Sequence, residues 1–277
     1  MLRLFIMYPS ALRALSKGGG AYAEEVQRRT KRDFLAHPDE VVRAKGFTMF
    51  LNPSDGIISA EIARAHFYEL DVTPVFESYL SGAKVVVDAG ANIGWFTLVA
   101  GKKAPTGAVV LAFEPNATNF WYLAKSIEAN HFSNVKTFNV ALSDRVGTAL
   151  LRASPDGAHP GMHSIVFDFD TSGVEVPTTT LAKTLEDLNL REIDVLKLDV
   201  EGAEPRVLKG AGALFLERRI RNIFIEWIPS AWKLDMDIVA FLEQNYEVFG
   251  LRWTKTIRFA DLTSIAQREN LFLRLRG

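Results

Sequence analysis

The sequence predicts an open, doubly wound α/β sheet from residue 83 onwards. Two observations predict it: short β-rich runs alternate with stretches of helical periodicity, and several of the runs are almost continuously apolar. The alternation is typical of parallel strands joined by helices, and the apolar runs are typical of strands covered on both faces. The runs lie at 85–90, 109–114, 135–142, 194–200 and 222–227.

Helices are predicted between and after these strands. Helical periodicity covers 116–130, 181–189 and 204–218. A further helix at 236–245 precedes two strands at 246–253 and 270–276, which we expect to pair and close the sheet.

The region before residue 83 has a different pattern. From Ala21 to about Gly82 it is predicted to be helical, with turns at Asn52-Pro53 and Asp55-Gly56. We therefore divide the chain into an N-terminal helical extension, residues 1–82, and a main domain, residues 83–277. The extension is expected to contact a substrate or a second subunit, and its apolar helices make a homodimer plausible.

Composition excludes several classes of function. The chain has 277 residues and a formal net charge of -1, which argues against nucleic acid or an anionic membrane as a partner. The absence of cysteine excludes disulfides, thiolate metal sites and cysteine nucleophiles. No apolar run approaches the roughly 20 residues of a transmembrane helix, and no signal peptide is recognised, so a cytoplasmic location is expected.

A glycine-containing loop follows the first strand of the main domain. It reads Asp88-Ala89-Gly90-Ala91-Asn92-Ile93-Gly94, and a helix follows it. Glycine lets a backbone turn tightly against a ligand, and a helix N-terminus offers unpaired N–H groups. The spacing does not match the glycine pattern of dinucleotide sites, which disfavours a nicotinamide oxidoreductase. An acid before the loop instead suits a zwitterionic or cationic ligand.

Polar and small residues also end the next two strands. Glu114, followed by Pro115 and Asn116, can accept from both hydroxyls of a ribose. Asn116 is equally suited to cap the next helix. Small apolar residues near Ala141 and Leu142 could enclose an adenine ring. Because ligands bind at the carboxyl ends of strands in open α/β sheets, these residues are expected to form one site.

The chain resembles the FkbM family of class I S-adenosylmethionine (SAM)-dependent methyltransferases. The blocks that carry the resemblance include VVVDAGANIGWFTL, LAFEPNATNFWYL and DVLKLDVEGAEPRVLKGA, and a shorter FYE element lies upstream. The resemblance implies a seven-stranded Rossmann-like methyltransferase sheet whose last strand is antiparallel. It also implies that Asp88, Gly90, Asn92 and Gly94 hold the methionine end of SAM, Glu114 the ribose, and Ala141–Leu142 the adenine.

The segment LKLDVEGAE supplies the candidate catalytic residues. Lys197, Asp199 and Glu201 alternate with apolar residues and share one face of the predicted strand. Two interpretations stay open. Lys197 could form a structural ion pair with Asp199 or with Glu226, or Asp199 could contact the cofactor and orient or deprotonate the methyl acceptor, supported by Glu201.

Two histidines are further candidates. His159 and His163 are expected on an exposed insertion at about 154–173 that covers the acceptor site. His163 is an alternative general base.

The resemblance implies a SAM-dependent methyltransferase, and we expect O-methylation of a hydroxyl on a sugar, a glycan or a related small molecule. An N-methyltransferase of the same fold and a non-catalytic SAM-binding protein are the alternatives. Asp199 and Glu226 could hold Mg²⁺. The Asp-Asn pair typical of metal-dependent catechol-type methyltransferases is missing after NIFIE, so no required metal is expected.

Overall fold

The computed structural model describes residues 41–53, 55–153, 163–166, 172–252 and 255–277. The described strands, in chain order, are β1 (Val41–Ala44), β2 (Phe47–Phe50), β3 (Val85–Ala89), β4 (Val109–Phe113), β5 (Val135–Phe138), β6 (Ala141–Leu142), β7 (Gly147–Ala153), β8 (His163–Ser164), β9 (Val174–Thr179), β10 (Ile193–Leu198), β11 (Ile220–Trp227), β12 (Tyr246–Arg252), β13 (Lys255–Phe259) and β14 (Glu269–Leu275). The described α-helices are α1 (Ile58–Ala65), α2 (Thr73–Ser78), α3 (Trp95–Lys103), α4 (Ala117–Asn130), α5 (Leu181–Asp187), α6 (Glu204–Ala211), α7 (Ala213–Leu216) and α8 (Met236–Asn245).

The core is one large, mostly parallel sheet, which confirms the predicted fold class. Its strands lie in the order β13-β12-β14-β11-β10-β3-β4-β5. The five from β11 to β5 are parallel, whereas β14 runs antiparallel to both β11 and β12. The last strand is therefore antiparallel, as expected. The described residues give eight strands where seven were implied, because β13 adds an edge strand beyond β12.

Each face of the sheet has its own apolar layer. Val86 and Val195 pack with Trp95 and Phe96 of α3. Val87 and Leu196, one residue further along each strand, face the opposite layer, to which α5, α6 and α8 contribute. Successive side chains of a strand point to opposite faces of the sheet. Because both faces are buried, most positions of these strands are apolar, which explains the continuous apolar runs of the sequence.

Two predicted elements are interrupted in the structure. The run 135–142 divides into β5, in the large sheet, and β6, which pairs with β9 in a second, four-stranded sheet. Asn139 lies at the break and donates from Nδ2 to the backbone oxygen of Glu114 at 2.8 Å, which turns the chain. The helix predicted at 204–218 breaks at Gly212, whose φ of 52° and ψ of -125° are not helical.

The N-terminal region is not wholly helical, contrary to the prediction. Helices α1 and α2 are present, but residues 41–50 form the hairpin β1–β2. Val42 and Met49 are buried in it, so its hydrophobic period is two. Lys45 and Gly46 have φ values of 47° and 83°, as a two-residue hairpin turn requires. The helix predicted within 21–36 lies outside the described residues.

The hairpin packs against the main domain. Thr48 donates its backbone N–H to Asn130 Oδ1 at 2.8 Å, and Phe50 donates to Ser126 Oγ at 3.0 Å, which joins β2 to α4. Across the part of the chain that the structure describes, no helix is both long and apolar enough to span a membrane.

Candidate active site

A cavity of about 430 Å³ lies at the carboxyl ends of β3, β4, β10 and β11. Residues from the glycine loop and the ends of the four strands line it, as do parts of the region before residue 83 and of the four-stranded sheet. Its acidic side chains outnumber its basic ones. The acids are Glu69, Glu114, Asp199, Glu201 and Glu226, and the bases are Lys197 and Arg268.

The glycine loop forms one wall of the cavity from backbone. Gly90 has a φ of 81°, and a β-carbon added there would lie 1.8 Å from the backbone oxygen of Asp199. Gly94 has a φ of 102°, and a β-carbon there would meet Leu123 Cδ1 at 2.6 Å. Asn92 also adopts a left-handed φ, of 50°. Gly90 is therefore required by close packing against backbone as well as by its conformation, whereas Gly94 is required by its conformation.

Glu114 anchors the loop to the end of β4. Its Oε2 accepts from the backbone N–H of Asn92, and its Oε1 accepts from that of Asn116, both at 2.8 Å. Each carboxylate oxygen has room for a second donor, so both can also accept from a ligand diol. Burial raises the pKa of Glu114 to about 7, in spite of these two hydrogen bonds.

Asp88, predicted to hold the ligand, does not line the cavity. Its carboxylate is 1% exposed and accepts from Thr97 Oγ1 of α3 at 2.6 Å. Burial raises the pKa of Asp88 to about 6. Its observed role is to fasten β3 to α3 behind the glycine loop.

Asn116 likewise lies outside the cavity lining and caps α4. Its Oδ1 accepts from the backbone N–H groups of Thr118 and Asn119, at 2.9 and 3.0 Å. Its Nδ2 must then be the donor in the 3.0 Å contact with His163 Nε2. Because His163 Nε2 accepts this hydrogen bond, that nitrogen is already engaged.

The remaining predicted ligand-binding residues do line the cavity. Pro115 is next to Glu114, and Ala141 and Leu142 of β6 form an apolar surface on the same side. His163 also lines it, whereas His159 lies outside the described residues.

Lys197 and Asp199 form the ion pair that the sequence left open. Lys197 Nζ lies 2.7 Å from Asp199 Oδ2 and 4.8 Å from the centre of the Phe96 ring. The lysine side chain is 4% exposed and that of Asp199 is 25% exposed, so the carboxylate faces the cavity. Burial opposes the lysine charge, but Asp199 and Glu69 hold the pKa of Lys197 above its usual value.

A second ion pair network closes the far side of the cavity. Arg268 donates to both carboxylate oxygens of Glu226, at 2.5 and 2.6 Å, and to Glu201 at 3.0 Å. Burial and the charge of Asp199 raise the pKa of Glu201 to about 7. Asp199, Glu201 and Glu226 each place an oxygen within 4.8 Å of the others, and Arg268 supplies a positive charge to this group.

The comparisons with known proteins identify the family. The model described as Methyltransferase FkbM domain matches residues 88–248, more than half of the chain. The chain belongs to the FkbM methyltransferase family. It is 33% identical over 220 residues to Methyltransferase sdnD of Sordaria araneosa, a match that covers 68% of this chain and 80% of that protein.

The chain is also similar to a second relative and, in fold, to a solved structure. The chain is 30% identical over 154 residues to 31-O-demethyl-FK506 methyltransferase FkbM of Streptomyces tacrolimicus, which covers 46% of this chain and 58% of that protein. Among solved structures, an O-methyltransferase of Bacillus cereus in complex with SAH matches with a TM-score of 0.45 and 10% identity, over 77% of this chain and 84% of that one.

As a member of this family, the chain is a SAM-dependent methyltransferase, and the residues of the cavity fit this cofactor. SAM carries a sulfonium, an ammonium and a carboxylate, so its net charge is positive, which suits a cavity with more acids than bases. The two oxygens of Glu114 suit the two ribose hydroxyls.

Tyr68, Glu69 and Arg268 are among the cavity residues that were not predicted from the sequence. Tyr68 and Glu69 belong to the segment between α1 and α2, and Arg268 lies just before β14. The FYE element contains the first two, and in the sequence it contributed only to the family resemblance. Arg268 had no local signal, since its partners are 42 and 67 residues away in the chain.

Proposed function

We propose that this methyltransferase transfers the methyl group of SAM to a hydroxyl oxygen of a sugar, a glycan or a related polyhydroxylated small molecule. The observation that carries the proposal is the placement of Asp199, Glu201 and Glu226 on the side of the cavity beyond β10 and β11. Carboxylate oxygens accept hydrogen bonds and donate none when ionised, so this side suits a ligand rich in O–H donors.

The name of one relative supports oxygen as the acceptor atom. The Streptomyces tacrolimicus protein is named for a 31-O-demethyl substrate. Transfer to nitrogen is the alternative outcome of the experiment below.

The residues of the chain act mainly by positioning. SAM supplies an electrophilic methyl carbon on a positively charged sulfur. Gly90, Asn92 and Glu114 would hold the cofactor. Asp199 accepts a hydrogen bond from a hydroxyl of the acceptor that neighbours the reacting one, which directs the reacting oxygen at the methyl carbon. Lys197 fixes the Asp199 carboxylate, and Glu201, held by Arg268, borders the same space. Alignment of nucleophile, carbon and leaving group accounts for most of the rate enhancement in such transfers.

Two further parts of the proposal concern the need for a metal ion and the location of the enzyme in the cell. The Arg268 guanidinium already supplies a cation to Glu201 and Glu226, so we propose that transfer requires no metal. The cytoplasm is the proposed location, because a cysteine-free chain requires no oxidising compartment.

A methyl-transfer assay tests the proposal. It combines the purified enzyme and labelled SAM with a set of sugars, glycans and polyhydroxylated small molecules. We expect label in at least one acceptor, and we expect Asp199→Asn to lower kcat far more than it raises the Kd for SAM. Asp187→Asn, which changes an exposed aspartate paired with Lys183, is the matched control and should keep full activity. Full activity of Asp199→Asn would remove Asp199 from the mechanism, and SAM binding without transfer to any acceptor would overturn the function.

A further inference from the structure

Glu69 contributes a carboxylate to the lining of the cavity. Its Oε2 is inaccessible to solvent and has no hydrogen-bond partner among the residues that the structure describes. Glu69 interacts electrostatically with Lys197 and Asp199 of β10, which are on the acceptor side. An unpaired buried polar atom costs about 1–3 kcal/mol, so its presence in the cavity requires a reason.

The backbone of Glu69 is held in an unfavourable conformation. Its φ is 46°, in the left-handed region that costs a non-glycine residue about 1 kcal/mol or more. The carbonyl oxygen of Glu69 accepts from the backbone N–H groups of Val72 and Thr73, at 3.2 and 2.8 Å. The first turn of α2 therefore fixes the position from which this side chain projects.

A second set of contacts ties the same segment to the glycine loop. Thr73 Oγ1 donates to the backbone oxygen of Tyr68 at 2.7 Å and accepts from Trp95 Nε1 at 2.9 Å. Trp95 is the residue directly after Gly94, and the ring of Tyr68 packs edge-on against its indole at 6.4 Å. The position of Glu69 is thus coupled to the loop that binds the cofactor.

The other carboxylates of the cavity already accept hydrogen bonds from protein donors. Asp199 accepts from Lys197, Glu114 from two backbone N–H groups, and Glu201 and Glu226 from Arg268. A hydrogen bond from a cation or an N–H group fixes a carboxylate in place and fills one of its acceptor positions. We propose that Glu69 is the general base that removes the proton from the acceptor hydroxyl.

This role of Glu69 rests on the proposed O-methylation. The acceptor oxygen forms a bond to the methyl carbon as the carbon–sulfur bond breaks and its electron pair returns to sulfur. The hydroxyl proton passes to the carboxylate of Glu69 on the side of the group that lines the cavity, since Oε2 itself is inaccessible. The products are a methyl ether, neutral S-adenosylhomocysteine and protonated Glu69, which returns its proton to water when the products leave.

The charges around Glu69 suit this role. Burial raises the pKa of Glu69 to about 7, opposed by Lys197 and supported by Asp199, Asp71 and Glu61. A base with a pKa near the working pH is ionised often enough to act and still binds a proton well. The ionised form is required, so the rate is expected to rise as the pH increases through about 7.

Glu69→Gln tests the proposal in the full-length enzyme with the acceptor found in the screen described above. Because burial disfavours the charge of Glu69, the neutral variant is expected to fold. We expect kcat to fall by about 10²-fold or more, with the Kd for SAM changed less than threefold and the rise of kcat/KM near neutral pH lost. Glu69→Asp should recover part of kcat. Glu186→Gln, which changes an exposed glutamate of α5 outside the cavity lining, is the matched control and should behave as wild type.

Three results would overturn this role. If Glu69→Gln and the wild type had equal kcat, Glu69 would be excluded as the general base. A Kd for SAM raised tenfold with kcat unchanged at saturating SAM would instead make Glu69 the partner of the cofactor ammonium. In both cases the wild-type enzyme still methylates its acceptor and the proposed function stands, whereas a wild type that binds SAM and methylates nothing would overturn both.

Discussion

The α-carbon of Gly90 lies so close to Asp199 that an added β-carbon would be 1.8 Å from the Asp199 backbone oxygen. The ends of β3 and β10 therefore meet through backbone alone. Asp199 also donates its N–H to the Ala89 oxygen at 3.0 Å, which fixes this approach. The loop proposed to bind the cofactor and the residue proposed to face the acceptor are consequently parts of one rigid unit.

Gly90→Ala is predicted to disrupt this unit. The obstructing atom belongs to the backbone and cannot rotate away, so β3 and β10 must separate. We expect the variant to lose several kcal/mol of unfolding free energy and measurable SAM binding, checked by denaturant unfolding and calorimetry. Gly107→Ala is the control: its φ is 88°, but no atom of the described residues lies within 4 Å of the added carbon. It should cost only about 1–2 kcal/mol and leave SAM binding intact. Equal effects of the two variants would contradict the packing argument.

Glu114→Gln is predicted to weaken SAM binding. Glutamine keeps one oxygen, so one of the backbone N–H groups of Asn92 and Asn116 would face an amide NH₂ group, and the ribose would lose an acceptor. We expect a loss of about 1–3 kcal/mol in SAM binding, measured by calorimetry. Glu128→Gln changes an exposed glutamate of α4 and should bind SAM as wild type does. An unchanged Kd in Glu114→Gln would remove the ribose assignment.

The cofactor-free enzyme is predicted to become more stable as the pH falls from about 8 to about 5. Burial raises the pKa of Asp88, Glu114 and Glu204, to between about 6 and 7. Because the folded state binds protons more tightly than the unfolded state, stability is greatest below the unfolded pKa values and is lost as the pH rises through the folded ones. Denaturant unfolding across this range checks the sign. Stability that rises with pH there would contradict it.

Glu204→Gln isolates one contribution to this pH dependence. Glu204 is fully buried and accepts through Oε1 from the backbone N–H groups of Val200 and Gly202, at 3.0 and 3.3 Å. Glutamine keeps that acceptor and cannot titrate. The variant should show a slope of stability against pH that is smaller by up to about 1.4 kcal/mol per pH unit between the two pKa values. An unchanged slope would mean that Glu204 does not titrate in this range.

Arg268 is predicted to make the enzyme independent of divalent metal. Wild-type activity should be unchanged in EDTA, because the guanidinium already binds Glu201 and Glu226. Arg268→Ala would leave Asp199, Glu201 and Glu226 without this charge, and we expect it to bind Mg²⁺ in calorimetry. Arg252→Ala, which breaks a separate pair with Glu269, should not. Loss of wild-type activity in EDTA would show that the metal is needed.

Much of the fold was readable from the sequence because buried parallel strands leave continuous apolar runs. The helix at 236–245 has the predicted bounds, and β3, β10 and β11 lie within two residues of theirs. The hairpin at 41–50 was missed because Val41 to Phe50 mixes apolar and charged residues, and only the turn at Lys45-Gly46 distinguishes it from a helix. The break between β5 and β6 depends on the side chain of Asn139. This side chain donates to the backbone oxygen of Glu114, which follows β4 and is distant in sequence.

The site residues that belong to one sequence motif could be predicted. Those that come together from separate segments of the chain could not. Gly90 and Glu114 lie on the cavity as the motifs indicate. Asp88 is in the right motif but bonds to Thr97, and nothing in the spacing distinguishes a ligand-facing acid from one that fastens a helix. Arg268 and Glu69 reach the cavity only through tertiary packing, so the closing network and the unpaired carboxylate were found only in the structure.

The most direct test of the account is transfer of a trideuterated methyl group from SAM, with the position of the label in the product assigned by mass spectrometry and NMR. The account predicts one deuterated methyl ether per turnover on a hydroxyl oxygen of a polyhydroxylated acceptor, and far less product with Asp199→Asn at saturating SAM. Label on a nitrogen, or an acceptor panel that stays unlabelled although the enzyme binds SAM, would contradict it.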